Sequence, residues 1–190
     1  KGHLTVVQWL HEQGVPLTAT ADDDFGMQPI HLAAHSGHPA VVQWLHEQGV
    51  SLTVTTGDGS QPIHLAARSG HLPMVQWLHE QGVPLTATDD GDEQPIHLAA
   101  AGGHPAVVQW LHEQGVPVTV TDGDGWQPIH YAASNGHLPV VQWLHEQGVP
   151  LTATARCDVQ PIHLAAAGGH LPMVQWLHEQ GVPVTVTDGD

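Results

Sequence analysis

Basic residues are almost missing from this chain: Lys and Arg total 3 against 19 Asp and Glu, a formal net charge of -16 at pH 7. Nucleic-acid phosphates are gripped by cations, so the deficit excludes a sequence-independent nucleic-acid surface. It argues equally against docking on an anionic membrane. No run of about 18 apolar residues occurs, which leaves out a transmembrane helix, and Lys1 does not open a signal peptide. A single cysteine, Cys157, rules out an internal disulfide framework and any multi-cysteine zinc site. A lone thiol suits a reducing, cytoplasmic compartment.

What the chain does have is repetition. Gln-Pro-Ile-His starts at Gln28, Gln61, Gln94, Gln127 and Gln160, every 33 residues. Gln-Trp-Leu-His-Glu-Gln-Gly starts at Gln8, Gln43, Gln76, Gln109, Gln142 and Gln175, with a first interval of 35 and the rest 33. The two extra residues fall between Gly14 and Gln28, in an acidic stretch that includes Asp22, Asp23 and Asp24. An insertion absorbed without disturbing its flanks marks that stretch as a loop.

Each unit reads as helix, turn, helix and extended arm. Pro29 takes a first helical position, where a missing N–H costs nothing, and Gly37 ends the helix. A second helix is predicted from Pro39 to Gln48, with Val41, Val42 and Leu45 as its apolar stripe and Gly49 just past its end. Val50 to Thr55 alternates apolar and hydroxyl side chains, predicting a short extended arm that leads to a polar tip. One unit cannot cover its own apolar faces, so neighbours must stack.

Gln-Pro-Ile-His-Leu-Ala-Ala at 61–67, Gly70-His71 and the second helix ending in Gly resemble the ankyrin repeat. The resemblance covers essentially the whole chain. It implies an all-α solenoid of stacked helix-turn-helix units with hairpin-like tips and a concave, protein-binding face. The expected organisation is one array over 1–190, with a partial first repeat at 1–20. Further repeats start near 21, 56, 89, 122 and 155, and a terminal tip lies at 188–190. Gln stands where the family has a helix-capping Thr, forgoing about 1 kcal/mol per repeat unless another contact restores it. Asp92 and Asp158 stand where other tips have Gly26, Gly59 and Gly125, and Asp tolerates the left-handed backbone such a turn needs. Neither end shows a polar capping repeat, so a segment of a longer array is expected. Arms alternate between Pro-Leu-Thr-Ala-Thr at Pro84 and Pro150 and Pro-Val-Thr-Val-Thr at Pro117 and Pro183, a rhythm consistent with duplicated repeat pairs.

Identical framework residues cannot specify a partner, so candidate contact residues are those that differ between copies. Before the Gln-Pro step these are Met27, Ser60, Glu93, Trp126 and Val159. At the end of the first helix they include His35, Arg68 and Ser134, and in the tips Asp90, Asp124 and Arg156. The resemblance places these positions along the binding groove. Exposed loops also vary without function, and that reading stands beside it. Trp126 is the one tryptophan of seven outside the second-helix block, and Tyr131 replaces a Leu found in the other copies. Trp126 is read as an exposed anchor for a partner, or as a ring folded back onto a neighbouring tip.

All 12 aspartates lie in tip segments. A carboxylate ridge steers a basic partner, while plain turn chemistry is the alternative. Asp122-Gly123-Asp124-Gly125 lacks the bidentate Glu of a calcium loop, and a shared cation site between tips is the weaker reading. Of 18 histidines, 17 fall in three framework series typified by His31, His38 and His46, favouring hydrogen bonding over metal ligation. No phosphate loop, nucleophile elbow or catalytic carboxylate pair occurs. Neither an enzyme, nor a cofactor, nor a bound metal is expected. The leading expectation is a monomeric scaffold for a protein partner with a basic surface; the runner-up is a structural spacer in a longer repeat protein. Protonation of many histidines near pH 6.5 predicts loss of net negative charge between about pH 7 and 5. Light scattering should rise in that window; a flat trace across it contradicts the expectation.

Overall fold

The computed structural model describes residues 3–20 and 25–183. The terminal tip at 188–190 and most of the acidic insertion lie outside the described residues. Among these residues the chain forms eleven α-helices and no strand. They are α1 Leu4–Glu12, α2 Pro29–His35, α3 Pro39–Glu47, α4 Pro62–Arg68, α5 Leu72–Glu80, α6 Pro95–Ala101, α7 Pro105–Glu113, α8 Pro128–Ser134, α9 Leu138–Glu146, α10 Pro161–Ala167 and α11 Leu171–Glu179. The chain divides into two compact units, Lys1–Pro95 and Ile96–Asp190.

Within the first unit α2 packs on α3, α4 on α5, and α2 on α4, while α1 meets α3. Within the second unit α8 packs on α9 and α10, α10 on α11, and α7 on α9. The periodic residues fill these contacts. Ile30, Ile63, Ile96, Ile129 and Ile162 are buried, as are Leu45, Leu78, Leu111, Leu144 and Leu177. The second helices end in the motif their glycines announce. Gly49 adopts φ +92°, its N–H donates to His46 O at 2.8 Å, and Val50 N–H donates to Leu45 O at 3.0 Å. These are the paired bonds of a Schellman ending, and the buried Leu45 and Val50 supply its apolar contact.

The arms differ from the extended conformation their alternation predicts. Each arm among the described residues folds into a turn after the second helix, as in Ala87 N–H to Pro84 O at 3.3 Å and Ala153 N–H to Pro150 O at 3.1 Å. Alternation here reflects a buried Leu or Val flanked by exposed residues, as at Leu85 between Pro84 and Thr86 and at Leu151 between Pro150 and Thr152. No neighbouring strand offers a ladder, so a period of two does not become a sheet.

Histidine supplies the cap that glutamine fails to complete. Gln28, Gln61 and Gln127 precede their helices, and each faces the third helical amide with a buried Oε1 that makes no hydrogen bond. Their backbone N–H groups donate instead to Nδ1 of His31, His64 and His130, each at 3.0 Å. The same rings donate from Nε2 to carbonyls of the arm 23 residues on: Val54 at 2.9 Å, Ala87 at 2.9 Å and Ala153 at 3.0 Å. A carbonyl can only accept and an amide N–H can only donate, so each imidazole is held in its neutral Nε2–H form. His97 repeats the arm bond to Val120 O at 3.0 Å.

Burial holds the pKa of His31, His64 and His130 below the usual imidazole value, against the opposing pull of the arm carbonyl and of nearby Asp58, Asp89 or Asp122. In the unfolded chain the same rings titrate near about pH 6.5. Between the folded and unfolded values the unfolded chain binds more protons. Stability is therefore complete above about pH 6.5 and is lost as pH falls below it. Urea unfolding should give a lower midpoint at about pH 5.5 than at about pH 7.5; an equal or higher midpoint at the acid value refutes the linkage.

Candidate functional site

The copy-specific residues gather at the tips and at the ends of the first helices. Each of the four fully described tips is closed by a main-chain bond across four residues. Thr56 N–H donates to Ser60 O at 3.0 Å, Asp89 to Glu93 at 3.2 Å, Asp122 to Trp126 at 3.0 Å and Ala155 to Val159 at 2.9 Å. An aspartate carboxylate organises three of these loops from within. Asp89 Oδ1 accepts the amides of Gly91 at 3.0 Å and Glu93 at 2.9 Å. Asp122 Oδ1 accepts those of Asp124 at 2.9 Å and Trp126 at 2.8 Å. In the tip at 56 the task passes to Asp58, which accepts the Thr56 hydroxyl and the Ser60 amide. Partial burial pushes the Asp58 carboxyl up, but these hydrogen bonds outweigh it and hold the group below its usual range.

The tip at 155 has no such carboxylate. A 3-10 turn at Arg156–Asp158 replaces it, with Cys157 at φ 60° and Asp158 at φ 55°. Asp92 takes φ 59°. The left-handed turn thus survives the loss of glycine at both Asp positions. Adjacent tips within a unit are joined by single amide bonds: Gly57 N–H to Phe25 O at 2.7 Å, Asp90 to Asp58 at 3.1 Å, and Arg156 to Asp124 at 3.2 Å. Asp58 and Asp90 therefore lie on neighbouring exposed tips. In the second unit the exposed Asp124 carboxylate is met by the Arg156 guanidinium at 3.1 Å, an exposed pair worth little in stability.

Trp126 is half-buried and leans back on the first helix of its own repeat. Its ring meets Tyr131 edge-on at 5.5 Å and lies 6.2 Å from the His130 ring. Tyr131 also lies 5.4 Å from His97, and its hydroxyl donates to Asp122 Oδ2. One carboxylate thus joins the two parts of the cluster, holding the loop amides with Oδ1 and the tyrosine with Oδ2. The leucines that replace Tyr131 in the other copies have no hydroxyl to make this link. Asp122 was not separable from the other tip aspartates in sequence: Asp89 stands at the same place, two and four residues before the amides it caps, and only the Tyr131 hydroxyl singles Asp122 out.

The remaining candidates are dispersed. His35 and Arg68 are exposed at first-helix ends, and His35 Nδ1 lies 2.9 Å from the Ser69 hydroxyl. Ser134 is half-buried, and its carbonyl accepts from His170 Nε2 at 2.9 Å. Met27, Glu93 and Val159 are half-buried, whereas Asp90 and Arg156 are exposed. Ser60 is buried, packed inside its own tip. Cys157 is a free, exposed thiol. Among the described residues no group of three or more His, Cys, Asp or Glu side chains is arranged to hold a metal ion, and no helix is long and apolar enough to cross a membrane.

Comparison with protein families gives two matches. A model described as ankyrin repeats (3 copies) matches residues 96–188, and one described as ankyrin repeats (many copies) matches residues 1–46, 30–79 and 63–112. No curated protein matches the chain. The Asp122 link carries a direct test. Tyr131→Phe should cost about 1 kcal/mol in urea unfolding and speed hydrogen exchange at the Trp126 amide. Unaltered exchange and stability would show that the hydroxyl does not hold the loop.

Proposed function

Because the chain belongs to the ankyrin repeat family, we propose that it is a protein-interaction module whose specificity lies in its exposed tips and copy-specific first-helix ends. Ankyrin repeats are generally protein–protein interaction modules and typically lack enzymatic activity. The finer reading is a partner with a basic surface, bound without catalysis, cofactor or metal. The observation that carries it is the cluster of Trp126, Tyr131 and Asp122. An aromatic ring fixed at a loop beside carboxylates presents area that needs little further ordering on binding, as interface anchors do. Its packing against Tyr131 and His130 means Trp126 offers part of its ring, as a prearranged platform. Arginine and lysine suit such a platform, since they satisfy carboxylates and also stack on an indole face.

The charge distribution agrees. With 3 basic residues in the chain and aspartates concentrated in the tips, a basic surface is drawn in over distances of about one Debye length. Within the second unit Arg156 offsets Asp124, so selectivity there rests on the aromatic cluster more than on net charge.

A displayed random-peptide library selected on the immobilised chain tests this. Lys- and Arg-rich sequences should be enriched, and Trp126→Ala should weaken their binding by about tenfold or more, the loss expected of an anchor. Enrichment of acidic or apolar sequences, or binding indifferent to Trp126→Ala, would reject the assignment.

A further inference from the structure

Of the 3 basic residues, Lys1 lies outside the described residues and Arg156 is paired with Asp124. Among the described residues the exposed Arg68 side chain makes neither an ion pair nor a hydrogen bond. Arg68 closes α4, and His35 holds the same place in α2, the helix packed against it. A hydroxyl ties the two positions together, since Ser69, next after Arg68, lies 2.9 Å from His35 Nδ1. A serine hydroxyl and an uncharged imidazole carry one mobile hydrogen each, and their shared bond uses one of them. The other remains for a ligand, on His35 Nε2 or on the Ser69 oxygen according to the tautomer. The corresponding places in the second unit hold Ala101 with Gly102, Ser134 with Asn135 and Ala167 with Gly168, none of them cationic.

A cation at a helix C-terminus ordinarily serves the helix, whose last carbonyls carry partial negative charge. Here those carbonyls are already occupied. In α2, Leu32 O, Ala33 O and Ala34 O accept the amides of Ser36 at 3.0 Å, His38 at 2.9 Å and Gly37 at 3.2 Å, and His35 O accepts from His71 Nε2 at 2.9 Å. In α4, Leu65 O, Ala66 O and Ala67 O accept the amides of Ser69 at 3.1 Å, His71 at 2.9 Å and Gly70 at 3.1 Å. With these carbonyls satisfied, the Arg68 guanidinium keeps its donors for a group outside the chain.

We propose that Arg68, with the Ser69–His35 pair beside it, receives a carboxylate of the bound partner, an Asp or Glu side chain. This rests on the proposed function and makes the segment bound at the first unit one of mixed charge. Its basic residues face Asp58 and Asp90 at the tips, and its acid lies at the opposite end of the first helices. A guanidinium takes a carboxylate in two parallel hydrogen bonds. A wholly acidic segment is repelled by the net charge of -16, so the carboxylate arrives on a chain whose basic residues answer the tips. The helix sets the spacing. α4 has 7 residues between the tip and its end, a rise of about 10 Å. That distance is at least about three positions of an extended segment. The two charges also fix the direction in which the segment lies.

Nuclear magnetic resonance titration of the isotope-labelled chain in about 0.15 M salt tests the proposal. The probes are end-blocked peptides Lys-Lys-Ala-Ala-Ala-Glu, its twin ending in Gln, and Glu-Lys-Lys-Ala-Ala-Ala. The first should bind about threefold more tightly than the Gln twin, the gain of an exposed ion pair, and should move the Arg68 Nε and Ser69 amide signals. The Glu-first peptide should show no such gain. Arg68→Gln should abolish the advantage of Glu while the Gln twin binds at least as tightly as before, and Ser69→Ala should reduce that advantage. Arg68 is exposed, and circular dichroism checks that the variants fold alike. A Glu peptide no better than its Gln twin, or an advantage that survives Arg68→Gln, overturns this inference and leaves the acidic tips their basic partner. So does an Arg68→Gln chain that loses stability with its peptide preference unchanged, which would return the arginine to its helix. Failure of all three peptides to bind overturns the basic-partner reading as well.

Discussion

A buried neutral imidazole is the piece on which the rest of each repeat depends. One nitrogen accepts the amide that opens the first helix, and the other donates to an arm carbonyl 23 residues away, as His64 does between Gln61 and Ala87. Both groups are main-chain polar atoms that would be costly to bury unpaired. Satisfying them together fixes where the helix begins and where the arm passes. The tip follows the arm, so the position of Asp89, Asp122 and their loops is set from the core outward.

This arrangement also accounts for the tolerance of glutamine at the cap. A hydroxyl there would satisfy a helix amide directly. Here the His31-type ring serves the cap residue's own N–H, and the Gln Oε1 is left buried without a hydrogen bond. The fold carries that deficit in several copies, offset by burial of the Ile, Ala and Leu side chains around it. A second histidine series works between repeats. The His137 ring occupies the space over Gly103, where an added Cβ would collide with it, and φ there is +72°. That glycine is required both for its backbone conformation and for the ring beside it.

Much of the fold was legible because its signals are local and repeated: Pro at helix starts, Gly after helix ends, and an apolar stripe at helical spacing. The arm was misread for a physical reason. Alternation reports which side chains are buried, and a turn that tucks Leu85 inward alternates as a strand does. The candidate site was half legible. Trp126 and Tyr131 broke the repeat and so could be found, but the carboxylate joining them could not. Asp122 looks like every other tip aspartate until the loop brings its two oxygens to two different structures. Ser60 varies between copies as Trp126 does, yet it is buried, because variation alone does not say which way a side chain points.

The sequence by itself determined the period, the helix pair within each period and the positions where copies differ, since these are properties of covalent order and local spacing. Burial was decided only by tertiary structure. Val6 and Val41 occupy the same place in nearly the same helix, and one is 50% exposed while the other is 3% exposed. The difference lies in what stands beside them, because in a repeat stack a side chain is covered by its neighbours' surfaces as well as by its own helix.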